Sequence, residues 1–403
     1  MRRHWRSRGW PRPWRSALYA PWSSCPGGSS ASAPSERLPG REVRPWAGAA
    51  QACYNEADAR WRTAMTATQR TAYAGYEAAL TGAALIDESS AGRIFMRGRD
   101  RAALLQRLST NDVERLRPGE GALTVLTTPI GRIIDVLTVH ALEDALLLVT
   151  SLEQGPPVYS HLRRNIFFND QVTLEPAGRT HAQLALFGPR APEVLAQLSG
   201  ASLADLPLHH TAAVAIAGAQ LLVARRKPLG GQGFTLYIPA EAADAVRSAL
   251  LSAGAAPLSP EAYDVLRVEQ GYGAFGRELS QEYIPLETGL LDAVSFSKGC
   301  YVGQEIIARM ESRGRLAKRL MGLKLRRPAD SEDGALPSIA TPAKLEAEGK
   351  DAGDLTSAVV SPRFGAIALA YVRSAHAQPG AVVQVAGADL RGEVVELPFE
   401  PAA

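Results

Sequence analysis

The sequence predicts an α+β fold that ends in a small β-barrel. A helical pattern with an apolar face is followed by several short strands joined by turns, which is typical of α+β domains. Beyond residue 365, three strand-like runs separated by turn residues indicate a barrel at the C-terminus. With 403 residues, 46% of them apolar and 21% charged, the chain is long enough for two or three domains with hydrophobic cores.

The periodicity of apolar residues places the elements in order. Asp100 is a suitable N-cap for a helix that buries Leu104, Leu105 and Leu108. An acidic stretch with scattered Gly and Pro, 329–354, is predicted to be a surface loop. Further helices are predicted over 192–198 and 241–252, and strands over 93–97, 123–127, 133–141, 145–150, 182–187, 213–217, 220–224, 366–372, 381–385 and 392–396.

The first 64 residues differ from the rest of the chain. They carry 11 Lys and Arg against 4 Asp and Glu, whereas the remaining 339 residues carry 33 against 37. Arg-rich, Ser-rich sequence that is poor in acids is typical of an organellar transit peptide. Its prolines would interrupt an amphipathic helix, so we favour the alternative that the natural chain starts at Met65. On either interpretation we expect residues 1–64 to lie outside the fold.

Composition excludes several classes of protein. No apolar run approaches the ~18 residues of a membrane-spanning helix, and the mildly acidic body argues against a nucleic-acid-binding module. Cys300 is the only cysteine after residue 64, so the body forms no internal disulfide and suits a reducing compartment. The seven histidines lack metal-ligand spacing. We therefore expect no metal site and no membrane or stable nucleic-acid partner.

A weak motif lies at 271–276, where G-Y-G-A-F-G matches the dinucleotide-binding pattern G-x-G-x-x-G. The preceding residues are charged and spaced as in a helix, whereas the dinucleotide fold requires an apolar strand there. Pro285 also interrupts the helix that should follow. We therefore interpret this segment as a glycine-rich turn after a helix.

The segment K-G-C-Y-V-G-Q-E at 298–305 is the most specific motif in the chain. Glycines on both sides of Cys300 permit a tight turn, and the spacing of apolar residues after Gly303 predicts a helix over 304–313. Cys300 therefore lies just before a helix N-terminus and two residues after Lys298, and both features stabilise a thiolate. A buried, inert thiol is the alternative. We favour a reactive cysteine.

This motif, continued by Ala308 and Arg309, resembles the signature of the YgfZ-type folate-binding proteins. These are paralogues of the glycine cleavage T-protein, an aminomethyltransferase, and are implicated in the assembly or repair of iron–sulfur enzymes. The resemblance covers residues 83–399 and implies a three-domain, T-protein-like α+β fold with a small C-terminal β-barrel. Four further segments resemble T-protein motifs: Leu105–Leu108 with T-N-D-V at 110–113 and P-G at 118–119, G-R-I-I-D at 131–135, R-V-E-Q-G at 267–271 and I-P-L-E-T-G-L at 284–290.

The resemblance implies a site for tetrahydrofolate or a one-carbon derivative. A pterin presents adjacent N–H donors that a carboxylate accepts, and Glu269 and Glu287 lie in matching motifs; surface charge is their alternative role. Asp135 interrupts an apolar strand at the position of the T-protein acid near the folate nitrogens, where a raised pKa would suit proton transfer. An exposed position on an alternating strand is its alternative. Arg309 could bind a glutamate-tail carboxylate or pair with Glu305.

These residues form two candidate sets. The candidate catalytic residues are Cys300, Asp135 and Lys298. The residues expected to bind the cofactor are Asp135, Glu269, Glu287, Arg309, Tyr301 and Gln304.

The chain departs from the aminomethyltransferases where they carry G-Y-T-G-E-D-G-F-E. It reads P-L-G-G-Q-G-F-T at 228–235, which keeps the turn glycines and the Phe but none of the three acids. A site that accepts an aminomethyl-lipoyl arm should need those carboxylates, and the T-protein has no equivalent of Cys300. The departures favour a role other than glycine cleavage.

We therefore expect a tetrahydrofolate-binding protein that supports the assembly or repair of iron–sulfur proteins through Cys300. The thiol could take up sulfur, accept a one-carbon unit as a folate-dependent transferase, or contact a client's cluster. The alternatives are an aminomethyltransferase and a non-catalytic folate-binding scaffold. The expected partners are iron–sulfur client or assembly proteins. We expect a cytoplasmic monomer, mitochondrial if residues 1–64 are a transit peptide. The expected domains are 65–315, which includes a second domain at about 178–255, and 316–403.

Overall fold

Three β-sheets organise the chain in this computed structural model, which describes residues 73–327 and 339–400. The Arg- and Trp-rich segment 1–64 lies outside the described residues. All described residues belong to one compact unit. No helix within the described ranges is long and apolar enough to cross a membrane.

Helices and strands alternate irregularly along the chain. The helices are α1 (Tyr76–Thr81), α2 (Arg101–Leu108), α3 (Gly155–Arg164), α4 (Ala191–Ser199), α5 (Ala243–Ser252), α6 (Pro260–Glu269) and α7 (Gln304–Arg313), with short 3-10 helices at Ala240–Ala242 and Leu291–Ala293. The strands are β1 (Ala84–Asp87), β2 (Ala91–Arg97), β3 (Gly121–Thr127), β4 (Ile133–Ala141), β5 (Ala145–Leu152), β6 (Thr173–Pro176), β7 (His181–Gly188), β8 (Thr211–Ile216), β9 (Ala219–Arg226), β10 (Gln232–Pro239), β11 (Ala256–Pro257), β12 (Lys318–Arg326), β13 (Ala343–Ala347), β14 (Lys350–Ser361), β15 (Gly365–Arg373), β16 (Val382–Val385) and β17 (Arg391–Val395).

The first sheet is antiparallel and has the strand order β3-β4-β5-β2-β6. Helices α2 and α3 pack against it, and α2 buries Leu104, Leu105 and Leu108 as the sequence predicts. Helix α2 follows Asp100, but that side chain forms no cap bond to the helix. Its carboxylate instead accepts the backbone N–H of Gln171 at 2.9 Å, because the segment before β6 lies beside it.

The second sheet has the order β11-β1-β7-β10-β9-β8 and is covered by α4 and α5. Strand β1 precedes the first sheet in the chain, yet it pairs with β7 antiparallel and with β11 parallel. Within the described residues, the chain passes through the second sheet at β1, forms the first sheet over β2 to β6 and returns to the second sheet at β7. The two sheets also touch, because His140 of β4 and the Tyr237 hydroxyl of β10 lie within hydrogen-bonding distance.

The C-terminal strands close into a barrel with the order β12-β15-β14-β13-β16-β17. The closed barrel confirms the α+β fold predicted from the sequence. The predicted surface loop over 329–354 is wrong in its second half, where β13 and the start of β14 form instead. Lys344 and Glu346 of β13 are exposed while Leu345 and Ala347 are buried. The alternation is therefore present, but charged residues and glycines obscure it.

Two helices are not predicted from the sequence, one because it begins with residues typical of turns and one because it is short. Helix α3 begins Gly155-Pro-Pro, which is typical of a loop, although proline is compatible with the first turn of a helix. Helix α1 has only six residues. The G-Y-G-A-F-G segment follows α6, and Gly271 and Gly276 adopt φ values of 73° and 78°. This confirms a glycine-rich turn after a helix.

Candidate functional site

Cys300 lies in the loop that precedes α7, and its side chain is exposed. Gly303 ends this loop with φ of 86°, and a Cβ atom there would come within 2.7 Å of the Thr128 carbonyl oxygen. The Thr127 hydroxyl donates to the Val302 carbonyl at 2.5 Å. The loop is therefore fixed against the end of β3. Cys300 itself is exposed, which excludes a buried thiol.

A surface pocket of about 360 Å³ opens beside Cys300. The guanidinium carbon of Arg107 lies 4.6 Å from the centre of the Phe167 ring, which is 59% exposed. Sequence reasoning missed Phe167, because a single aromatic residue in a loop carries no periodic signal. The lining comes from the end of α2, the loop after α3 and the Cys300 loop, through Arg107, Leu108, Asn165, Phe167 and residues 300–302.

Lys298 is bound to backbone carbonyls near the end of α2. Its ammonium donates to the carbonyl oxygens of Gln106 at 2.7 Å, Ser109 at 2.8 Å and Asn111 at 2.7 Å. Burial lowers the pKa of Lys298 to about 8, so the side chain stays largely protonated at neutral pH. An ammonium has three hydrogens, and these bonds use all of them. No hydrogen of Lys298 is left for the Cys300 thiol in this arrangement.

Asp135 is fully buried on β4, beyond the point where β4 and β5 cease to pair. Its carboxylate accepts the backbone N–H of Ser151 on β5 at 3.1 Å and that of Val136 at 2.9 Å. The side chain thus takes the place of a ladder carbonyl, and the exposed-strand alternative is excluded. Burial raises the pKa of Asp135 to about 6, although both hydrogen bonds oppose the shift.

Glu269 is also fully buried, at the end of α6. It accepts the hydroxyl of Tyr76 at 2.5 Å, the hydroxyl of Ser361 at 2.6 Å and a guanidinium N–H of Arg363 at 3.4 Å. Burial raises its pKa, and these three donors lower it. Its carboxylate therefore joins α1, α6 and the barrel. Its assignment to the pterin stays a prediction.

Glu287 is buried with fewer donors. It accepts the backbone N–H of Ile284 at 3.2 Å, and burial raises its pKa against the opposing charges of Lys318 and Arg132. The segment that carries it is bonded to the start of β4, because the N–H of Ile133 donates to the Tyr283 carbonyl at 3.0 Å. The structure thus brings the Glu287 segment to the strand that carries Asp135.

The remaining candidates lie on α7 or next to it. Tyr301 is buried and packs against Ile284 and Ile307, and burial raises its pKa to about 12. Gln304 is half-buried at the first position of α7, and Arg309 is exposed on the same helix. Cys300, Tyr301 and Gln304 therefore share one short segment. Contact of Gln304 and Arg309 with folate stays a prediction.

The chemistry of these carboxylates can be tested against a reduced folate. A pterin offers paired N–H donors, and a carboxylate has about four acceptor positions. Glu287 and Asp135 keep acceptor capacity beyond their backbone bonds, and both are buried. Glu269 already receives three side-chain donors. Asp135 and Glu287 thus have the acceptor positions that a reduced folate needs, and their contact with folate stays a prediction.

Comparison with known families gives two matches that together cover most of the described chain. Residues 44–298 match the GCVT N-terminal domain, and residues 318–400 match the glycine cleavage T-protein C-terminal barrel domain. The crystal structure of the glycine cleavage system aminomethyltransferase T from Bartonella henselae superposes with a TM-score of 0.70. It is 24% identical and covers 81% of this chain and 88% of that one, which shows a shared fold.

Two curated relatives are more similar in sequence. An aminomethyltransferase of Geobacillus kaustophilus is 34% identical over 334 residues, which are 80% of this chain and 89% of the relative. A chloroplastic protein of Arabidopsis thaliana, named as a transferase, is 33% identical over 319 residues, 79% of this chain and 71% of the relative. The chain therefore belongs to the glycine cleavage T-protein family, whose aminomethyltransferases use tetrahydrofolate.

Proposed function

We propose that this chain is a tetrahydrofolate-binding protein of the YgfZ-type branch, which supports the assembly or repair of iron–sulfur proteins. The observation that carries this proposal is the exposed Cys300 within its K-G-C-Y-V-G-Q-E motif. The thiol lies beside an open pocket and is accessible to a second macromolecule. Iron–sulfur client or assembly proteins are the proposed partners.

Two buried carboxylates support the folate part of the proposal. Glu287 would accept the paired N–H donors of the pterin, because it keeps acceptor capacity in a partly apolar setting. Asp135, whose pKa is about 6, can hold or release a proton at its carboxylate near neutral pH. Tetrahydrofolate, when bound, supplies a carrier for a one-carbon unit. If the protein is an enzyme, it is a folate-dependent one-carbon transferase.

The second candidate function is that of an aminomethyltransferase, which the name of the Geobacillus relative favours. The turn between β9 and β10 argues against an aminomethyltransferase. This turn lacks the acids of the aminomethyltransferase motif and begins with Lys227, which pairs with Asp292 at 2.7 Å. The turn itself offers a protonated amine no carboxylate, and the nearby Asp292 is already paired with Lys227. Release of ammonia from an aminomethyl-lipoyl protein would establish this function.

The compartment follows from the same reasoning. A single thiol in the body suits a reducing environment, and we propose the cytoplasm, or the mitochondrion if residues 1–64 act as a transit peptide. The Arabidopsis relative is chloroplastic by name, which is compatible with an organellar form of the chain.

A complementation experiment tests the proposal. A strain that lacks the corresponding gene is supplied with the wild-type chain, Cys300→Ala or the control Ser297→Ala, which changes an exposed residue of the same loop. We expect wild type and Ser297→Ala to restore the activity of iron–sulfur enzymes and Cys300→Ala to fail. Full restoration by Cys300→Ala would instead support a folate-binding scaffold.

A further inference from the structure

Lys298 joins the Cys300 loop to a different part of the chain. Lys298 is 8% exposed, and its ammonium binds three carbonyls, that of Gln106 in the last turn of α2 and those of Ser109 and Asn111 just after it. It also lies 5.1 Å from the centre of the Tyr301 ring. A cation at the C-terminus of a helix is stabilised by the unpaired carbonyls and by the helix dipole. The position is therefore favourable for a charge.

Two backbone hydrogen bonds flank this contact. The N–H of Ser295 donates to the Thr110 carbonyl at 3.0 Å, and the N–H of Val302 donates to the Arg107 carbonyl at 3.1 Å. The loop from 295 to 302 is thus attached to one short segment, 106–111, at both ends and in the middle. Cys300 lies between the middle attachment at Lys298 and the last one.

We propose that Lys298 is a positioning residue, whose ammonium holds the Cys300 loop on the end of α2 and so presents the thiol at the pocket beside Arg107 and Phe167. All three hydrogens of the ammonium are used by carbonyls, so Lys298 acts on the thiol through the backbone of the loop. The biological consequence of this role rests on the proposed function, but the attachment itself does not.

Amide hydrogen exchange on the full chain tests the attachment. In Lys298→Met the aliphatic stem remains while the three donors are lost, and we expect the amides of residues 295–302 to exchange at least tenfold faster than in wild type. Lys298→Arg keeps charge and donors and should recover at least part of the protection. The control is Lys344→Met, which removes an exposed barrel lysine paired with Asp354 and should leave the loop unchanged.

Two outcomes would overturn the proposal. One is wild-type protection of the loop in Lys298→Met, and the other is faster exchange spread evenly over the sheets, which would indicate general destabilisation. If Lys298→Met does not fold, Lys298→Gln decides the question, because a neutral amide can still donate to two carbonyls. We expect residues 295–302 to exchange faster than in wild type in this variant, because one donor and the positive charge are lost, and wild-type protection would refute the role of the charged ammonium.

The same variants separate this proposal from the proposed function. In the complementation strain, Lys298→Met should behave like Cys300→Ala although it retains the thiol, and Lys298→Arg should restore activity. If Lys298→Met loosens the loop but still complements, the attachment is correct and its functional importance is refuted. If Cys300→Ala also complements, the proposed function itself fails.

Discussion

At the residue scale, Glu269 and Glu287 lie in matching motifs but have different surroundings. Glu269 receives three side-chain donors, whereas the structure describes one backbone donor to Glu287. We expect Glu287→Gln to weaken tetrahydrofolate binding by about 1.5–3 kcal/mol, roughly ten- to a hundredfold, because a charged acceptor is lost. Calorimetric titration measures the effect.

Glu269→Gln is the matched comparison for this prediction. It should leave the affinity for tetrahydrofolate near the wild-type value but lower the free energy of unfolding by about 1–3 kcal/mol, because buried donors lose an acceptor. Loss of affinity in Glu269→Gln together with wild-type affinity in Glu287→Gln would show that Glu269, and not Glu287, binds the pterin.

Asp135 gives a pH-dependent prediction. Its folded pKa of about 6 exceeds the usual value of 3.8, so the folded state binds the proton more tightly than the unfolded state. The stability that this proton contributes is fully present below pH 3.8 and is lost as the pH rises through about 6, a total change of about 3 kcal/mol. Asp135→Asn does not titrate and should lack this loss.

Urea unfolding between pH 4 and 7, followed by far-UV circular dichroism, measures the Asp135 effect. The difference in unfolding free energy between wild type and Asp135→Asn should fall by about 2 kcal/mol from pH 4 to pH 6 and level off near pH 7. Parallel stability curves for the two proteins would show that the carboxyl does not have a raised pKa.

The sequence could identify which residues carry chemistry but not all of their contacts. The motif spacing singled out Cys300 and Asp135, and the structure leaves the first exposed and the second buried. The sequence could not show that Lys298 binds carbonyls of residues 106–111, because that contact depends on where the end of α2 lies in the folded protein. Nor could the sequence show that Phe167 lines the pocket beside Cys300, because this depends on the folded position of the loop after α3.

At the scale of elements, the start of α7 depends on Gly303. Its φ of 86° lies in the left-handed region, and a Cβ atom would meet the Thr128 carbonyl oxygen at 2.7 Å. We expect Gly303→Ala to lower the free energy of unfolding by at least about 1–2 kcal/mol. Gly299 lies in the same loop without a positive φ, and a Cβ atom there would have no neighbour within 4 Å.

Gly299→Ala is therefore the control, and it should leave stability unchanged in urea unfolding. Equal stability of Gly303→Ala and Gly299→Ala would show that the loop adapts without strain. Function should follow stability here, because a displaced α7 start moves the segment that contains Cys300.

Predictability also differs between elements. Strand β4 and helix α2 have clear periodicity, and both form where the sequence predicts them. Strand β13 has the same period-two burial, but its exposed Lys344 and Glu346 made the segment resemble a loop. Local composition gave the wrong prediction here because pairing with β14 and β16 stabilises this strand.

At the scale of the whole molecule, buried polar contacts join the three sheets. His140 of β4 donates from Nδ1 to the His209 carbonyl at 3.0 Å, which leaves Nε2 to accept the Tyr237 hydroxyl of β10 at 3.0 Å. Burial lowers the pKa of His140 to about 4, so this bridge holds a neutral imidazole at neutral pH. It links the first and second sheets.

The barrel is held by a second buried network, centred on Glu278. This carboxylate accepts the hydroxyls of Thr356 and Ser357 at 2.6 Å, the N–H of Ala274 at 2.9 Å and a guanidinium N–H of Arg267 at 3.2 Å. The glycine-rich turn after α6 therefore meets β14 through one side chain. Every carboxylate oxygen is satisfied, which a stable buried charge requires.

Removing this carboxylate should weaken the whole molecule. Glu278→Ala leaves Arg267 buried without one of its partners, and we expect a loss of about 3–5 kcal/mol in the free energy of unfolding. Arg373→Ala breaks the exposed barrel pair with Asp351 and should change stability little, because exposed ion pairs contribute little. Far-UV circular dichroism follows the transition, because all six tryptophans lie in residues 1–61, outside the described residues. Similar stability of the two variants would mean that the barrel is held by its apolar contacts with Val268 and Phe399 instead.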